Sequence, residues 1–145
     1  MFDLTLNTAQ PRLHDRVLRL YRNIMLMGWF ARLGAALLQR TRTLRTLAEH
    51  ARGEGRYVGI QAVAIAQIVG SEGRVHDFDA NFAPLREHTR DRWVRVALAR
   101  VTNIALPPVQ LIHAADGYYV RDGHHRISVA RAFGEAYIEA EVIRY

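Results

Sequence analysis

The chain is 145 residues long and 50% hydrophobic, carries no cysteine, and has a net charge of +6 because 20 basic residues, every one an arginine, face 14 acids. Length and apolar content fit a single domain-sized core, and the lack of thiols excludes disulfides, zinc–thiolate sites and cysteine nucleophiles. The longest apolar stretch, 24–38, contains Arg32 and is too short for a bilayer, and the first residues do not resemble a secretory signal, so a cytoplasmic location without a membrane span is expected.

The charge is unevenly placed. Ten arginines up to residue 56 meet only Asp3, Asp15, Glu49 and Glu54, whereas the ten that follow are balanced by ten acids. An excess confined to one end points to an acidic partner, either DNA or an acidic protein surface. From Pro11, a plausible first-turn residue, Leu13, Val17, Leu20, Ile24 and Met27 recur at helical spacing, and Arg12, Arg16 and Arg19 form a basic strip about 100° round the same helix. A second apolar series, Phe30, Leu33, Leu37, Leu44 and Leu47, carries helical character to about His50, interspersed with Arg40, Arg42 and Arg45. Residues 1–55 therefore read as a basic helical extension, two helices or one kinked at Gly28. Its arginines are either a solvated outer face or a nucleic-acid-binding strip. No aromatic residues alternate with them as a single-strand stacking platform needs. An interfacial membrane helix over 25–40 fits less well, because the apolar residues there are not confined to one face.

After the Gly53-Glu54-Gly55 linker, 57–69 is rich in valine, isoleucine and alanine; its flanking glycines favour a strand over a short helix. It runs into Gly70-Ser71-Glu72-Gly73-Arg74, a polar turn able to face a phosphate although it matches no Walker pattern. A helix is expected over 85–101, its apolar face carrying Leu85, Trp93, Val96, Ala97 and Val101. Pro107-Pro108 introduces a strand over 109–113, and Asp116-Gly117 turns it into a partner over 118–121. Then comes Asp122-Gly123-His124-His125-Arg126, a helix to Phe133 with Gly134 as its cap, and a closing strand in which Ile138, Ala140 and Val142 alternate with acids.

The run 122–126 is the principal site candidate. A glycine at a strand-to-helix junction permits a tight turn, and the helix start aims free N–H groups and its positive dipole end at an anion. His125 and Arg126 add donors there, and a protonated His125 would make phosphate affinity rise as pH falls through about 6.5. Two adjacent histidines on a helix diverge by about 100° and have no third ligand in view, so no metal site is expected. His14, His50 and His88 read as surface positions, and His76 as a loop or pocket-rim residue.

The order strand, polar turn ending in arginine, helix, hairpin, DGHHR, helix and strand resembles the ParB/sulfiredoxin-like group over about 57–145. That resemblance implies an α+β fold, a small mixed sheet with packed helices, over 56–145. Gly123, Arg126 and Ala130 or Val129 occupy the places of the ParB motif GERRxxA, with His124 and His125 replacing the acid and first arginine. Against the sulfiredoxin motif GCHR, Gly123, His125 and Arg126 match, while His124 stands where the catalytic cysteine would be, which removes sulfinic-acid repair. Arg74 matches the arginine closing the first conserved ParB box. The helix-turn-helix that ParB partition proteins carry after this core is not expected, so DNA contact would fall to the N-terminal arginines.

Two functions follow as expectations. In one, a nucleoside di- or triphosphate such as ATP or CTP, with Mg2+, lies over Gly123, His124, His125 and Arg126, with Ser71 and Arg74 as the facing wall. In the other, resembling the free-serine kinases of the same fold, the chain transfers a phosphoryl group to a small hydroxyl compound, with Glu72 as base and Asp122 orienting metal or acceptor.

Overall fold

The computed structural model describes residues 6–38, 43–48 and 54–145, with side chains from residue 11 onward. Among them the chain forms helix α1 (Leu6–Leu37) and strands β1 (Arg45–Thr46), β2 (Arg56–Ala64) and β3 (Ile68–Ser71). Helix α2 (Arg90–Val101), strands β4 (Val109–Ala114) and β5 (Gly117–Asp122), helix α3 (His124–Ala132) and strand β6 (Tyr137–Arg144) follow. This is an α+β fold with a six-stranded mixed sheet in the order β1-β3-β5-β4-β6-β2. β4 pairs antiparallel with β5, as the Asp116-Gly117 turn requires, and parallel with β6. The central strand β4 buries both faces: Leu111 joins the main core with Val120, Ile127 and Val142, whereas Ile112 packs on the other side with Leu47 and Tyr119. A further layer joins α1 to α2 and α3 through Val17, Tyr21, Trp93, Ala97 and Val129. The Trp93 indole N–H donates to the Ser128 hydroxyl at 2.9 Å, so its one polar atom is satisfied within the core.

Four expectations change. α1 is one 32-residue helix running unbroken through Gly28, with Pro11 one turn inside it, and it ends at Leu37. Leu44 and Leu47 are not its continuation: residues 45–46 form β1, parallel to β3, so Arg45 is a strand residue at the sheet edge. The stretch 57–69 is not one strand, because a 3₁₀ turn over Ile65–Gln67 separates β2, on the far edge against β6, from β3 beside β5. The helix expected from 85 starts at Arg90, after a short 3₁₀ turn over Glu87–Thr89. Arg40, Arg42 and His50 lie outside the described residues. Among those described, no helix is long and apolar enough to cross a membrane.

Candidate functional site

The ends of β3 and β5 lie side by side in parallel, so the turns that follow them face each other. One is 72–74; the other is Gly123 and the first turn of α3. Gly123 has φ +104°, and a Cβ there would sit 2.5 Å from Val109 Cγ1, so the chain turns into α3 only because this residue has no side chain. The Ile127 N–H bonds back to the Gly123 carbonyl at 3.0 Å, and the N–H groups of His124 to Arg126 are those a helix start leaves without helical partners.

Ser71 fastens the two turns together. Its fully buried hydroxyl oxygen accepts the N–H groups of Gly73 at 3.2 Å and Arg74 at 3.0 Å and lies 2.7 Å from His124 Nε2. Both lone pairs are thereby used, so the hydroxyl proton points to His124 Nε2, with the Val120 carbonyl at 3.4 Å a weaker competitor. His124 is then neutral, accepting at Nε2 and carrying its proton on Nδ1. Burial, reinforced by the nearby Arg74 charge, holds its pKa down to about 4. His125 is lowered likewise to about 4, by burial first and then by Arg92 and Arg74. Phe78 stacks on His124 and meets His125 edge-on, which is the apolar surrounding that opposes charge on both rings. Without an anion bound, His125 does not gain charge near pH 6.5 as expected from the sequence: burial holds it neutral to about pH 4, although its ring lines the cleft.

The two turns, α2 and the segment before β4 enclose a cleft of about 430 Å³. Glu72, Arg74, Gly123, His124, His125, Arg126 and Asp122 all line it, as does Arg92 from α2, which sequence reasoning did not single out. Ser71 stands behind the wall rather than in it. Arg126 is turned to structural use, donating to the carbonyls of Pro107 at 2.5 Å and Pro108 at 2.9 Å and to Asp122 Oδ2 at 2.6 Å. Glu72 accepts from Arg121 Nε at 3.0 Å and Nη2 at 3.3 Å, a fork-to-carboxylate pair that occupies both its oxygens. Arg121, also missed in the sequence, extends the polar run one residue upstream and donates to the Tyr145 hydroxyl at 3.1 Å. With these two ion pairs formed, Arg74 and Arg92 remain exposed, with no side-chain hydrogen bond or ion pair among the described residues, and the cleft keeps an excess of two positive charges.

The other candidate residues lie elsewhere. Arg12, Arg16 and Arg19 are exposed on α1, and Arg45 is exposed on β1, 3.6 Å from Asp116. His76 is exposed and does not line the cleft, and His88 lies 3.5 Å from Asp77 at the surface.

No protein-family model matches the chain, and no curated protein matches it. Among solved structures, the chain is similar to the crystal structure of sulfiredoxin from Arabidopsis thaliana, with 15% identity over 59% of this chain and 85% of that one and a TM-score of 0.45.

Proposed function

We propose that the cleft binds the phosphates of a nucleotide. The observation that carries this reading is the pair of guanidinium groups, Arg74 and Arg92, that have no side-chain partner among the described residues and flank the N–H groups that the α3 start leaves without helical partners, while both carboxylates lining the cleft are already paired with an arginine. An anion there gains the helix-end field and two charge-assisted hydrogen bonds, and displaces no existing ion pair. The sequence resemblance to ParB-type nucleotide sites points the same way. Mg2+ would arrive with a nucleoside di- or triphosphate and be held mainly by the phosphates, since Asp122, the exposed carboxylate of the cleft, already accepts from Arg126.

Binding is favoured over phosphoryl transfer because the base proposed for transfer, Glu72, has both oxygens engaged by Arg121 and would have to break that pair to reach an acceptor hydroxyl. The test is titration calorimetry with ATP, CTP and pyrophosphate, each with Mg2+. Arg74→Ala and Arg92→Ala should each weaken binding roughly 10-fold, the lower range for a hydrogen bond to a charged group. Equal affinities for wild type and the double variant, or no binding of any of the three ligands, would remove the proposal.

A further inference from the structure

The outer face of α1 changes character halfway along. At about 100° per residue, the exposed Arg12, Arg19 and Arg22 fall on the same side as Leu26, Phe30, Leu33 and Leu37. Leu26, Trp29, Phe30, Leu33 and Leu37 are 46% to 79% exposed, opposite the face that Val17 and Tyr21 bury against α2. These five side chains present roughly 500 Å² of apolar surface, at the upper end of what a monomer leaves uncovered.

We infer that this face pairs with the same face of a second copy, antiparallel. Leu26, Phe30, Leu33 and Leu37 are spaced four, three and four residues apart, a sequence that reads the same in both directions. Reversed against itself it sets Leu26 opposite Leu37 and Phe30 opposite Leu33, as the self-complementary patch of a two-fold dimer requires. Charge selects the same direction. A parallel pair would bring each copy's Arg12, Arg19 and Arg22 against their equivalents, whereas the antiparallel pair carries the basic halves away from each other. With Met27 and Leu38 at the margins, both exposed, the buried area approaches the roughly 800 Å² per partner of a standard interface. A lipid surface fits the face less well, since arginines and large apolar groups follow one another along one line instead of flanking each other.

Sedimentation of the full chain should show a monomer–dimer equilibrium in the micromolar range, and Phe30→Glu with Leu33→Glu should weaken it at least about 100-fold. Both positions are exposed, so circular dichroism of the double variant should be unchanged. Because the chain has no cysteine, direction can be read by oxidative cross-linking. Leu26→Cys mixed with Leu37→Cys should cross-link about 10-fold more than Leu26→Cys alone. A monomer at every concentration, a dimer indifferent to the glutamates, efficient self-cross-linking of Leu26→Cys, or a monomer that instead floats with phosphatidylserine vesicles would each overturn the pairing.

Discussion

Protonation of His124 and His125 is opposed by the same burial that makes them part of the α3 start. Both have folded-state pKa values of about 4, against about 6.5 for an unfolded histidine. Between those values the unfolded chain binds more protons than the folded one, so stability should rise with pH from about 4 to 6.5 and level off above. Each imidazole contributes at most about 1.4 kcal/mol per pH unit in that window. Urea unfolding across it should show the slope, and His125→Phe should remove about half of it. The substitution should cost little at neutral pH, because His125 Nε2 is buried without a partner and the phenyl ring loses no hydrogen bond there. A midpoint that does not move between pH 4 and 6.5 would show that both rings are reached by water.

At the scale of elements, α3 depends on the glycine before it more than on the glycine after it. Gly123 and Gly134 both have positive φ, but a Cβ at Gly123 would collide with Val109, whereas one at Gly134 meets nothing within 4 Å. Gly123→Ala should therefore cost about 2–4 kcal/mol, from left-handed backbone plus overpacking, and Gly134→Ala only about 1 kcal/mol. Thermal unfolding should rank them in that order; equal losses would mean that β4 yields to the new methyl group. This junction was legible in the sequence, as were the β4–β5 turn and β6, because glycine chemistry and strict alternation are local signals. β1 was not. Leu44 and Leu47 are three apart, a spacing that suits one face of a helix and equally the two opposite faces of a strand. In the fold Leu44 enters the main core and Leu47 the cluster on the sheet's other face, a choice decided by pairing with β3 and invisible to periodicity. The break at Ile65–Gln67 was hidden for a similar reason: the run is rich in apolar residues on both sides of it, yet its two halves pair at distant places in the sheet.

Over the whole molecule the cleft draws on the turn after β3, one face of α2, the loop before β4 and the start of α3, so only its glycine-marked parts could be found from sequence. Arg92 adjoins the core residue Trp93 on an ordinary charged helix face, and nothing local distinguishes it from Arg90 or Arg95. The charge of the chain also divides. The cleft has a local excess of two arginines within a segment, 57–145, whose ten arginines and ten acids cancel, whereas Arg12, Arg16 and Arg19 belong to the end that holds the entire net charge. Nucleotide binding and any DNA binding should then be separable. If the strip on α1 contacts duplex DNA, three neutralised phosphates give a slope of about −2.7 for log K against log salt. Replacing Arg12, Arg16 and Arg19 together by alanine should abolish that slope and leave nucleotide affinity unchanged, while Arg74→Ala with Arg92→Ala should do the reverse. These five positions are exposed, so neither set should unfold the chain. DNA affinity with no salt dependence would exclude phosphate contacts by the strip, and one that falls with the cleft variants instead would transfer the acidic partner from the helix to the cleft.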